Sequence, residues 1–86
     1  MAGAFHVYVL RSEATGRLYV GSTSDIDARL GRHNRGESKA TKHGVPWALV
    51  HQEEFASRSE AVRREMYYKT GKGREELKTF LSTSLD

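Results

Sequence analysis

Eighty-six residues, without a cysteine, read as one domain spanning 1–86 and exclude a disulfide framework, a thiolate metal cluster and a thiol nucleophile. No apolar run approaches the ~20 residues of a membrane span, and Met1–Phe5 lacks the pattern of a secretory leader, so no membrane partner and a cytoplasmic location are expected. The net charge of +3 is unevenly spread: Arg29–His43 and Arg58–Arg74 are both strongly basic and the remainder is acidic, which suits either a polyanion-facing surface or a solubilising one.

The first elements read as a β-hairpin, Phe5–Leu10 and Arg17–Gly21, around Ser-Glu-Ala-Thr-Gly. With Arg11 opposite Gly16, Val9 pairs with Leu18, Val7 with Val20 and Tyr8 with Tyr19, and His6 lies near Gly21. The hairpin then has an aliphatic side and a tyrosine side. Ser24 is the expected N-cap of a helix with Asp25 and Asp27 in its first turn, Ile26 and Leu30 as its stripe, and Asn34-Arg-Gly36 as its stop. Arg29 and His33, four residues apart, project from one side of it. After the irregular Glu37–Val45, a third strand runs from Pro46 to His51, and acidic Gln52-Glu-Glu54 leads to Phe55. Ser57-Arg-Ser-Glu60 is a capping box opening a helix through about Thr70. Gly71-Lys-Gly73 breaks it, and a short last helix buries Leu77, Phe80 and Leu81. The order β-β-α-β-α-α predicts an α+β domain, a three-stranded antiparallel sheet flanked by helices.

One residue stands out on the second helix. At about 100° per residue, Glu65 falls between Ala61 and Val62 in the apolar stripe. A buried lone carboxylate costs several kcal/mol unless a cation satisfies it. Mg²⁺, which keeps much of its hydration shell, is one such cation; Lys69, four residues on, is another.

Tyr8-Val-Leu-Arg-Ser12, Tyr19-Val-Gly21 with Ser22 and Thr23, Arg29-Leu-Gly-Arg-His-Asn34 and Ser59-Glu-Ala-Val-Arg-Arg-Glu65, in this order, resemble the GIY-YIG nuclease domain, and most of all its small stand-alone bacterial branch. The resemblance runs from about Phe5 to Leu77. It implies hydrolysis of a DNA phosphodiester with one divalent metal ion, Mg²⁺ or Mn²⁺. Carried over residue by residue, Tyr8 and Tyr19 match the motif tyrosines, Gly21 the closing glycine and Arg29 the helix arginine. Glu65 matches the metal-binding glutamate, and His33 a position that holds His or Tyr. Two departures stand against the pattern: His6 replaces the first glycine of the name motif, and Leu77 stands where some members carry an asparagine.

The residues themselves suit this chemistry. Arg29 is a fixed cation for a phosphoryl oxygen, and a Glu65-bound metal is a Lewis acid. Tyr8, with its pKa lowered by a metal or nearby cations, and His33, whose ordinary pKa is nearer neutrality, compete as the base. Tyr19 orients water or phosphate. Candidate nucleic-acid contacts are Gly21, Ser22, Thr23, Arg32, Lys39, Lys42, Lys72 and Arg74, while Trp47 reads as core. The tyrosines, the Arg29/His33 pair and Glu65 are expected to converge on one face of the sheet. With no appended sequence-reading module, the expected partner is single-stranded or structured DNA, in repair or nucleic-acid turnover, with specificity from strand shape or from a protein partner; RNA stays open as a substrate. The rival readings are a non-cutting nucleic-acid-binding module of the same fold and a protein-interaction adaptor.

Overall fold

The computed structural model describes residues 4–84, so the leader reading at Met1–Gly3 lies outside the described residues. Strands β1 (Phe5–Ser12), β2 (Leu18–Thr23) and β3 (Trp47–Phe55) form one antiparallel sheet in the order β2-β1-β3, with β1 in the middle. Helix α1 (Ile26–Asn34) lies between β2 and β3 in sequence, followed by a 3-10 turn at Lys42–Gly44; helices α2 (Arg58–Tyr68) and α3 (Gly71–Ser84) follow β3. The expected element order holds.

The central strand divides the core. On one side Val7 and Val9 pack with Val20, Ala61, Tyr68 and Leu77, under α2 and α3. On the other, Tyr8 and Leu10 pack with Trp47, supported by Tyr19, Ile26 and Leu30. Alternation along β1 therefore feeds two hydrophobic layers, as a central strand covered on both faces requires.

The expected face assignment is right and the expected pairing is not. Arg11 pairs with Leu18, Leu10 with Tyr19, Val9 with Val20, and Tyr8 with Gly21. The cause is Ser12. Its buried hydroxyl donates to Gly44 O at 2.6 Å and accepts from the amides of Ala14 and Thr15 at 3.1 and 2.9 Å. The turn therefore closes at Ser12–Arg17, where Ser12 N–H donates to Arg17 O at 2.9 Å. A shift of two preserves the faces because side chains alternate with period two.

Other boundaries move for equally local reasons. The N-cap of α1 is Asp25, whose Oδ1 accepts from Ala28 N–H at 3.0 Å. Ser24 is passed over because the Thr23 hydroxyl already takes the Asp25 amide at 3.1 Å. Gly36 ends this segment in the left-handed region at φ 74°, which glycine reaches without a Cβ penalty. Strand β3 begins at Trp47, after Pro46, and runs on through the acidic stretch to Phe55, with a pairing irregularity opposite Val9 and Leu10. Glu53 faces the helices there, where Arg64 Nε donates to it at 3.0 Å and the Tyr68 hydroxyl also donates to it. Ser57 caps α2 as expected, accepting from Glu60 N–H at 3.2 Å. The Gly71-Lys-Gly73 break is the first turn of α3, which is longer than expected; Thr70 Oγ1 accepts from Gly73 N–H at 3.1 Å. Leu77 and Leu81 are buried as read, whereas Phe80 is exposed and stacks on His51 with ring centroids 5.4 Å apart.

Candidate active site

Tyr8 leaves the central strand on the α1 side and is fully buried. Its hydroxyl lies 3.0 Å from His33 Nε2. His33, on the last turn of α1 and also buried, places Nδ1 2.7 Å from the buried Thr41 hydroxyl. Phenol, imidazole and hydroxyl thus form a chain of hydrogen bonds from the sheet into the α1–β3 connection. Gly21 makes room for it: a Cβ there would lie 2.5 Å from the Tyr8 hydroxyl oxygen. Gly21 is buried and seats the phenol. Tyr19 packs beside the pair, its ring 5.0 Å from that of His33 and 6.3 Å from that of Tyr8.

Burial and the two neighbouring cations, Arg29 and Arg32, hold His33 below the usual histidine range, so its imidazole is neutral near pH 7. The Tyr8 phenol is pushed up to about 12, first by burial and then by Tyr19; Arg29, beside it, pulls the other way, and the Glu65 charge adds to the rise. Arg29 lowers the phenol's pKa as expected of a nearby cation, but removal from water outweighs that one guanidinium. Tyr8 thus holds its proton at neutral pH.

Glu65 reaches the site from the other side of the sheet. Its Oε1 accepts from the Ser22 hydroxyl at 2.7 Å and its Oε2 from Lys69 Nζ at 2.8 Å. Ser22 pairs with Val7 and so shares the α2 face, whereas Tyr8 pairs with Gly21 on the α1 face. The expectation of a single face is corrected: phenols and acid come from opposite faces of the sheet at the edge strand β2, near enough for the Glu65 charge to act on Tyr8. A small polar cleft marks that edge, lined by Ser22, Thr23, Ser24, Arg29 and Arg58 among others, with a volume of about 80 Å³.

The remaining candidates are dispersed. Thr23 serves the start of α1. Arg32, Lys39 and Lys42 are exposed on α1 and the connection after it, and Lys72 is exposed on the first turn of α3. Arg74 lines a separate groove of about 470 Å³ with Arg17, Tyr19, Lys69 and Lys78. Trp47 is core as read, and its Nε1 donates to Thr41 O at 2.8 Å.

A family model of the GIY-YIG catalytic domain matches residues 4–78. The chain belongs to the GIY-YIG family. Among the relatives of this GIY-YIG protein, the UPF0213 protein of Staphylococcus haemolyticus is 42% identical over 74 residues, covering 85% of this chain and 89% of that one. A UPF0213 protein of Staphylococcus aureus is 43% identical over 65 residues, covering 74% and 78%. The solution structure of the UPF0213 protein BH0048 from Bacillus halodurans superimposes with a TM-score of 0.55 at 32% identity, covering 90% of this chain and 84% of that one. Thr41, Lys69 and Arg58 are the site residues the sequence reading did not assign to the site. Lys69 was visible there as an i,i+4 partner of Glu65, whereas Thr41 lies in an irregular stretch with no periodicity to mark it.

Proposed function

We propose that this GIY-YIG protein is a metal-dependent endonuclease that hydrolyses phosphodiester bonds of single-stranded or structured DNA. The observation that carries the reading is the Tyr8–His33–Thr41 chain, with Arg29 beside the phenol and Glu65 brought to the same edge. Neutral His33 accepts the Tyr8 proton at Nε2 while its Nδ1–H donates to Thr41. This frees the phenolate oxygen to take a proton from an attacking water. The sequence left Tyr8 and His33 as competitors. The 3.0 Å contact between the Tyr8 hydroxyl and His33 Nε2 supports a relay in which Tyr8 meets the water and His33 takes the proton onward. Arg29 stabilises charge on the phosphoryl oxygens.

The residues present fit a divalent cation. Glu65 Oε2 already draws a positive group, and the Lys69 side chain that supplies it is half exposed and can swing away. One carboxylate with waters and a substrate oxygen is a habitual Mg²⁺ environment. Glu65 would hold Mg²⁺ or Mn²⁺, which supplies Lewis-acid charge stabilisation at the phosphate when bound.

The same Glu65–Lys69 pair favours a second reading, a nucleic-acid-binding module that does not cut, since the acid is satisfied without a metal. Labelled single-stranded, forked and duplex DNA, together with RNA, incubated with Mg²⁺ or Mn²⁺ separates the two. Cleavage by the wild type that falls at least 100-fold in Glu65→Ala is the expected result. Binding without cleavage of any substrate selects the module.

A further inference from the structure

Arg58 opens α2 and belongs to neither the motif nor the relay. Its guanidinium lies 5.4 Å from the centroid of the Phe5 ring, a contact that orients the cation without neutralising it. It lines the same small cleft as Arg29. Among the described residues no carboxylate forms an ion pair with either, whereas Arg35 and Arg64 are both paired with acids. The lining of the cleft contains no Asp or Glu. Ser22, which lines the cleft, donates its hydroxyl to Glu65, whose other oxygen is taken by Lys69. Two unneutralised guanidiniums sharing one polar cleft repel each other, and an anion placed between them relieves the repulsion. The cleft is too small for a nucleobase with its sugar and of the right order for a tetrahedral oxyanion.

We infer that this cleft is a second phosphate subsite, in which Arg58, with the exposed Ser24 at its rim, holds a nucleic-acid phosphate adjacent to the one addressed by Arg29. The inference rests on the proposed nuclease reading for the identity of the phosphate carrier. The bound group is either an internal diester flanking the scissile bond or a terminal monoester at a strand end. The subsite fixes the register of the strand at the edge of β2, so that Tyr8 faces a defined bond.

The test is metal-free binding of fluorescent single-stranded oligonucleotides, with and without a 5′-phosphate, each carrying one neutral methylphosphonate at successive positions. Arg58→Ala is the variant; its side chain is exposed, and thermal unfolding verifies that the protein stays folded. One methylphosphonate, or removal of the terminal phosphate, should weaken the wild type about tenfold and leave Arg58→Ala unmoved. The salt slope of the variant should fall by about 0.7. Coupling at an internal position identifies a flanking diester and coupling at the end a terminal monoester; both sustain the subsite. If no phosphate couples to Arg58, the inference is overturned, whatever the slope does. Cleavage plays no part in this readout. A protein that binds through Arg58 but cuts nothing sustains the subsite and overturns the nuclease reading, and one that cuts without Arg58 coupling does the reverse.

Discussion

At the scale of single residues, the Tyr8 phenol is governed by opposing neighbours. Burial raises it, Arg29 favours its ionised form, and His33 offers a neutral nitrogen 3.0 Å away. Tyr8→Phe removes the group that would meet the water and leaves His33 Nε2 unpaired. Its expected effect is a loss of cleavage of at least about 100-fold, against a stability change of about 1–3 kcal/mol, read by single-turnover assays and urea titration. Lys69 has the converse position. Lys69→Met removes the ammonium from Glu65 Oε2, and the metal concentration for half-maximal cleavage should fall by up to about fivefold, the range of a half-exposed ion pair. Tyr8, Tyr19, Arg29 and Glu65 were legible from residue type and order, whereas the apolar stripe expected around Glu65 does not hold, because Val62 is exposed and only Ala61 beside it is buried. Thr41 was not, because the contact that gives it meaning is tertiary.

Among elements, the α2–α3 corner is the tightest joint. A Cβ on Gly73 would lie 1.9 Å from the Tyr67 carbonyl oxygen, which is backbone and has no rotamer to yield. Gly73→Ala should cost at least about 3 kcal/mol and lower the melting temperature by more than about 10 °C, measured by thermal unfolding. The sequence marked this place as a break, and the glycines do punctuate the chain there, but their purpose is close approach of two helices. The extension of β3 escaped the sequence for a related reason. Gln52-Glu-Glu54 looks like a solvated connection until Arg64, Tyr68 and His51 are seen to satisfy Glu53 from α2 and from β3 itself. The hairpin register was misread because it depends on Ser12, whose hydroxyl is tied to Gly44 far along the chain.

For the whole molecule, two part-buried or buried protonation-sensitive groups, His33 and Glu53, lie on opposite sides of the sheet and fail in sequence as acid is added. His33 is held below its ordinary value of 6.5 chiefly by burial, so its contribution to stability is complete above pH 6.5 and is lost as pH falls through the folded value. Glu53 is held below 4.5: burial alone would raise it, and hydrogen bonds from Tyr68, His51 and Arg64 more than offset that. Its contribution is present above pH 4.5 and is lost below. Stability measured by urea unfolding should therefore decline from about pH 6.5 and steepen below about pH 4.5; a flat profile from pH 7 to 5 in the wild type would remove the claim for His33. Cleavage should show an acid limb at the His33 step, to which Glu53 adds nothing, since Glu53 faces the helices on the side of the sheet away from Tyr8.

Strand β1 sits between two partners and turns its valines to one layer and Tyr8 to the other. Slipping it by a single residue would therefore exchange oil for phenol on both sides at once. Such a slip would forfeit solidity and reactivity in the same stroke, and no half-correct intermediate would keep either. Insertions are thus better tolerated in the surface connections than anywhere within these eight residues.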